Sequence, residues 1–175
     1  YAGDRDETGT PPEVFLLRRA AAYQAYFESM PLRASAIPSG PDMRLYRRLT
    51  FGNLLDLSVL DTRQFRSKQA CGVSTATNCA AARDPARSIL GTAQERWLFE
   101  GLATPHRGWT VLANQIPVAP FDSAPGTDRR VSMDQWSGYP AALDRLSRAI
   151  ATHAPNRTLV ITGDIHSNWV HEIRG

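Results

Sequence analysis

From Leu54 onward the sequence alternates β-type runs with amphipathic helical segments, and no other feature narrows the fold as far. Leu54 to Leu60 is strand-like, and a helix opens at Thr92 and runs through Trp97, Leu98 and Leu102. Gly108-Trp109 leads into a strand from Thr110 to Ile116, and Pro140 starts a helix reaching about Ala151. Thr158 to Thr162 reads as a buried strand, because it is continuously apolar or β-branched rather than alternating. Strand, helix, strand, helix, strand is the α/β signature, and it predicts right-handed crossovers.

The preceding residues add a helix and a hairpin. Thr10-Pro11-Pro12-Glu13 has the capping-box form, with an apolar face of Phe15, Ala22 and Tyr26 beside Leu16, Tyr23 and Phe27, and Pro31 ends the helix. Leu45 to Thr50 and Leu54 to Leu60 flank Phe51-Gly52-Asn53, whose glycine and asparagine tolerate a tight turn. A second capping box, Thr92-Ala93-Gln94-Glu95, opens the next helix. Between them, Thr62 to Leu90 is polar and aperiodic, longer than a plain connector, and so predicts a functional or covering loop. Pro117 to Asp134 is a second loop, and no internal repeat or low-complexity tract occurs.

Composition excludes several classes. At 175 residues, 42% apolar and 21% charged, the chain is an ordinary globular domain rather than a disordered, collagenous or coiled-coil sequence. No apolar run approaches the roughly 20 residues of a membrane span. The formal charge is +3, and Lys68 is the sole lysine, so nineteen of the twenty basic residues are arginine. Arginine forks toward phosphate, although a biased genome composition accounts for the same excess. The pairs Arg18-Arg19, Arg47-Arg48 and Arg129-Arg130 are scattered rather than interleaved with stacking aromatics, which argues against a specific nucleic-acid surface. There is no GxGxxG and no P-loop, and Gly72-Val73-Ser74-Thr75-Ala76 lacks the last glycine of a nucleophile elbow. Cys71 and Cys79 fit neither a CxxC pair nor a complete zinc site. A local disulfide is expected, contributing about 2.5 kcal/mol by loop entropy and implying an oxidising compartment.

In open α/β sheets the ligand lies outside the carboxyl ends of the strands. The three exits here are Asp61-Thr62-Arg63, then Asn114 and Gln115, then Gly163-Asp164-Ile165-His166. A carboxylate, an arginine, an amide and an Asp/His pair at one sheet edge suit an anionic substrate. If the chain is still extended after Gly163, Asp164 and His166 face the same side and can ligate metal. The same spacing also fits Asp164 capping a turn with His166 on the surface. Asp61 and Arg63 equally fit a local ion pair or turn, and Gln115 a satisfied loop amide. His106, His153 and His171 have no acidic cluster around them in the sequence and read as surface or supporting residues. The glycosylation sequon Asn156-Arg157-Thr158 lies at a strand entry and is discounted.

Five blocks, in order, carry a resemblance. They are Phe15-Leu16-Leu17-Arg18-Arg19-Ala20-Ala21-Ala22-Tyr23-Gln24-Ala25-Tyr26, Met30-Pro31-Leu32-Arg33, Leu60-Asp61-Thr62-Arg63-Gln64-Phe65-Arg66, Leu90-Gly91-Thr92-Ala93-Gln94-Glu95-Arg96-Trp97-Leu98 and Thr162-Gly163-Asp164-Ile165-His166-Ser167. Together they resemble the PhoD-like alkaline phosphatases over nearly the whole chain. The resemblance implies a metallophosphoesterase-type β-sandwich flanked by helices, with residues 1–175 as part of one catalytic domain. It implies hydrolysis of phosphate monoesters or diesters, with Asp164 and His166 as metal ligands and iron and calcium as metals. It also implies twin-arginine export to a secreted or periplasmic location. Arg63 is then a candidate for phosphate contact, with Asp61 and Gln115 as site-edge residues.

In that family a W-D-D-H-E stretch precedes the counterpart of Tyr1-Ala2-Gly3, and other ligands lie further upstream. The resemblance therefore implies an internal piece of a longer enzyme, inactive alone. The competing reading is a non-catalytic phosphate- or nucleic-acid-binding module that uses the arginines. Steep salt dependence would mark that module, and metal dependence the phosphatase.

Overall fold

The computed structural model describes residues 1–173 except 73, 107 and 125. Val73, inside the elbow-like stretch considered above, thus lies outside the described residues. Four strands form the main sheet: β1 (Arg47–Phe51), β2 (Leu55–Val59), β4 (Trp109–Asn114) and β6 (Thr158–Thr162), in the order β1-β2-β4-β6. β1 runs antiparallel to β2, while β2, β4 and β6 are mutually parallel. The two parallel steps are bridged by α2 (Gly91–Ala103) and α3 (Pro140–His153). A short ribbon of β3 (Thr75–Thr77) and β5 (Arg130–Ser132) stands apart, and α1 (Pro12–Ser29) precedes the sheet. This is the α/β order read from the sequence, with the first strand added as an antiparallel edge.

Both bridging helices cover the same face. Leu98 and Leu102 of α2 and Ala142 and Leu146 of α3 bury against Leu60 and Leu112, with Val160 packed beside them and Trp136 and Tyr139 closing one end. Register explains which residues face away. Leu49, Leu57, Val111 and Leu159 align in one row, Phe51, Leu55 and Trp109 in the next, and Val59, Ala113 and Ile161 in a third. Side chains two apart share a face, so these rows form the opposite, apolar side of the sheet. There Phe51, Trp109, Leu159 and Ile161 are 53, 54, 53 and 47% exposed. Among the described residues β6 is accordingly an edge strand, half-covered on one face and exposed on the other, not the fully buried strand its composition predicts. The sheet is one layer of the expected sandwich, and no second layer covers this face among the described residues.

The capping boxes do not form. Two prolines shift the start of α1 to Pro12, so Pro11 occupies the cap position and Thr10 lies one residue outside it, without a capping hydrogen bond. The Thr10 amide instead donates to Asp6, 3.0 Å. At α2 the cap lies upstream of Thr92: the Ser88 hydroxyl oxygen accepts from the Leu90 and Gly91 amides at 3.2 and 2.9 Å and donates to Glu95, 3.0 Å. The buried face of α1 is Phe15, Arg19 and Tyr23 rather than a face containing Ala22 and Tyr26, both of which are exposed. Arg19 can be buried because its guanidinium donates to the carbonyls of Gly3 and Pro41 and to Asp42, at 2.7 to 2.9 Å.

The long segment after β2 is no loose flap. It carries β3, a 3-10 turn at Ala80–Arg83, and the disulfide Cys71–Cys79 with Cα atoms 6.2 Å apart, as the spacing predicts. Thr62, Gln64, Arg66, Gln69 and Ser88 from this segment are all buried, each with internal partners.

Candidate active site at the strand ends

Because β2, β4 and β6 are parallel and in register, their carboxyl ends emerge side by side. Val59, Ala113 and Ile161 share a row, so Asp61, Gln115 and Gly163-Asp164 follow at the same edge. The Gly163 position confirms the closeness: a side chain there would meet the Gln115 carbonyl oxygen at 3.6 Å.

Asp61 and Gln115 spend their polar atoms on shaping this edge. Asp61 is 2% exposed. One carboxylate oxygen accepts from the Arg63 and Gln64 amides at 2.8 and 3.1 Å, and the other from the Gln64 side-chain amide. This is the turn geometry in which an aspartate replaces a backbone acceptor. Gln115 crosses from β4 to β2: its carbonyl oxygen accepts from the amide and hydroxyl of Thr62 at 3.0 and 2.8 Å, and its NH2 donates to the Leu60 carbonyl, 2.6 Å. Gln94 of α2, buried, grips the Asp61 peptide from both sides at 2.8 Å. Nothing in the sequence reading singled out Gln94. Its signal was a position inside an apolar helical face where the pattern called for a hydrophobe.

Arg63 meets a carboxylate the sequence reading also missed. Its two terminal nitrogens lie 3.0 and 2.8 Å from the two oxygens of Asp134, as a fork. Asp134 further accepts from Gln69 at 2.6 Å and from Arg66, whose other terminal nitrogen donates to the Asp134 carbonyl at 3.1 Å. Burial pushes the Asp134 carboxyl up, but the hydrogen bonds and charges of Arg63 and Arg66 more than offset it and hold the group below the usual carboxylate range. The Arg66 side chain has no exposed surface, and that of Arg63 is 26% exposed.

After Thr162 the chain turns instead of continuing extended. Asp164 and His166 adopt left-handed backbone, φ 73° and 57°, and the Ile165 amide bonds back to the Gly163 carbonyl, 3.0 Å. Asp164 and His166 therefore do not share one side as alternate residues of an extended strand would. Both side chains are exposed. Left-handed backbone is unfavourable for residues with a Cβ, and such conformations concentrate where a site needs an unusual direction. Neither side chain has a hydrogen-bond or ion-pair partner among the described residues, so the Asp164 oxygens and His166 nitrogens are free. No group of three or more His, Cys, Asp or Glu gathers among the described residues.

His106 fits the supporting reading rather than the surface one, its side chain 18% exposed. It sits between Asp56 and Thr110, with Nδ1 3.8 Å from the carboxylate and Nε2 2.9 Å from the hydroxyl, at the opposite edge of the sheet. His171 stacks on Trp169 with ring centres 5.8 Å apart, against Phe121.

The three parallel strand ends thus place the turns that carry Arg63, Asp164 and His166 at the carboxyl edge of the sheet, the edge at which α/β folds bind their ligands. The chain belongs to the PhoD-like phosphatase family, whose model matches residues 1–175. It is 45% identical over 173 residues to alkaline phosphatase D of Bacillus subtilis (strain 168), a match covering 99% of this chain and 30% of that protein. A solved structure of PhoD superposes with a TM-score of 0.90 at 46% identity, covering 95% of this chain and 32% of that one. The chain thus spans about a third of the length of these relatives.

Proposed function

We propose that the protein carrying this chain hydrolyses phosphate esters with bound metal, and that this segment supplies one edge of the active site and has no turnover alone. The observation that supports this most is the convergence of the three parallel strand ends, with the donor atoms of Asp164 and His166 free in left-handed backbone beside them. Asp164 offers a hard anionic oxygen suited to iron or calcium, and His166 an imidazole nitrogen suited to iron. Two donors fit part of a metal's coordination shell, and the remaining ligands come from elsewhere in the protein. A metal held there supplies Lewis acidity for the attacking water and the phosphoryl oxygens. Arg63 contacts the phosphoryl group, while Asp61 and Gln115 set the shape of the edge on which it stands. Twin-arginine export fits the disulfide, which persists in oxidising compartments.

The arginines favour this reading over a polyanion-binding module. Arg19, Arg48, Arg66, Arg145 and Arg157 are committed to internal carbonyls, carboxylates or rings rather than displayed as a patch. The test is Asp164→Ala and His166→Ala in the whole protein. Turnover falls by orders of magnitude and bound metal drops, while the circular dichroism spectrum is unchanged. Near-normal turnover with unchanged metal content in both variants refutes the assignment.

A further inference from the structure

We propose that Asp134 is the positioning residue for Arg63, holding its guanidinium in a fixed orientation to receive the phosphoryl oxygens; this rests on the reading that Arg63 contacts phosphate. β5 ends at Ser132, paired with Thr75 of β3, and β3 lies inside the loop closed by Cys71–Cys79. The Met133 amide donates to the Ser74 carbonyl at 2.9 Å, and Met133 itself is buried. On its other side Gly138 packs so tightly that a side chain there would sit 2.4 Å from the Met133 carbonyl oxygen. Asp134 therefore projects from backbone fixed on both sides.

Its carboxylate is held at both oxygens. Arg63 takes both oxygens in a fork, and Arg66 and Gln69 converge on one of them. Two guanidiniums against one carboxylate leave a net positive charge. Because the Arg66 side chain has no exposed surface, Arg63 is the member that displays this charge to a ligand. The fork uses two of the five guanidinium N–H groups. The Nε–H and the outer terminal hydrogens remain for an oxyanion, in the planar geometry that matches phosphate. A long flexible side chain is thus held ready before substrate arrives, which is how bidentate clamps contribute to binding and rate.

A purely structural role for Asp134, tying the loop after β2 to the loop after β5, makes a different prediction. The experiment compares Arg63→Gln, Asp134→Asn and their double variant in the whole protein. The readouts are competitive inhibition by inorganic phosphate, KM and kcat for bis-p-nitrophenyl phosphate, and Tm. Each single change weakens phosphate inhibition about tenfold, and the double variant is no worse than about twofold beyond either single, because both remove one oriented contact. Should Asp134→Asn lower Tm by more than about 10 °C, Asp134→Glu carries the test on the same criteria, since it keeps a carboxylate for Arg66 and displaces only the fork. Unchanged inhibition in Arg63→Gln removes Arg63 from the site. A weakened Arg63→Gln beside an unaffected Asp134 variant, or a double variant whose losses multiply to about a hundredfold, overturns the positioning role and leaves Arg63 as a contact.

Discussion

Changing Gly138 to alanine tests whether the ribbon and the core are locked together as described. Gly138 sits in the short 3-10 turn Trp136–Gly138 that delivers Trp136 and Tyr139, 1 and 0% exposed, into the main core. A Cβ at this position would lie 2.4 Å from the carbonyl oxygen of Met133 and 2.7 Å from its carbonyl carbon and Cα. These are backbone atoms, so no side-chain rotation relieves the overlap. Restoring ordinary contact requires the two segments to separate by the order of 1 Å. That shift strains the bond from the Gly138 amide to Gln135, 2.9 Å, and the one from Trp136 to Asn114, 3.1 Å. Overpacking against an unyielding neighbour costs about 3 kcal/mol, at the upper end of the usual range. For a domain of this size that lowers Tm by roughly 6 to 12 °C, read by differential scanning calorimetry. Gly52 is the contrast: its φ is +53° but no atom lies within 4 Å of the added Cβ, so Gly52→Ala carries only the backbone penalty, about 1 kcal/mol. A Gly138→Ala protein melting within about 2 °C of the parent shows that the turn and the Met133 backbone are not in fixed contact, and it removes the rigid base argued for Asp134.

Reducing the Cys71–Cys79 bond lowers stability by about 2.5 kcal/mol through loop entropy, seen as a shift in the urea midpoint with dithiothreitol that is absent in a Cys71→Ser, Cys79→Ser protein. Acid unfolding also has a defined sign: because Asp134 titrates below its unfolded value, its contribution is complete above about pH 3.9 and is lost as pH falls through the lower folded value, so Asp134→Asn flattens that part of the stability profile.

Periodicity and strand order were legible because they follow from burial, which acts on every residue of an element. Placement of β2, β4 and β6 needed only apolar runs and helical spacers, and the disulfide only a short spacing. Failures came where a single neighbour decided the outcome. Thr10 and Thr92 each had a carboxylate three residues on, yet consecutive prolines displaced one cap and Ser88 pre-empted the other. The run Thr158 to Thr162 has the composition of a strand covered on both faces, but composition reports the residues and not the layer that meets them. Leu159 and Ile161 consequently stand on the open side. Asp134 and Gln94 were invisible because their partners are 71 and 33 residues away, on other elements. Asp56 escaped notice beside His106 for the same reason, being 50 positions away in the chain.

Polar residues at the strand ends divide by whether their hydrogen-bonding capacity is already used, and that division sharpens the site. Asp61, Gln115 and Gln94 bind backbone groups that burial would otherwise leave unpaired, a loss of about 1 to 3 kcal/mol for each such group. Their chemistry is consumed in building the edge, and a ligand has little left to take from them. Arg63, Asp164 and His166 retain donors or lone pairs directed at no described neighbour. Sequence position alone could not separate these two sets, since an aspartate ending a strand looks the same in either role. The structure separates them by occupancy: Asp164 and His166 have no described side-chain partner, and Arg63 keeps only the N–H groups outside its fork with Asp134. Those are the groups on which the proposed binding of a metal and a phosphoryl oxyanion rests.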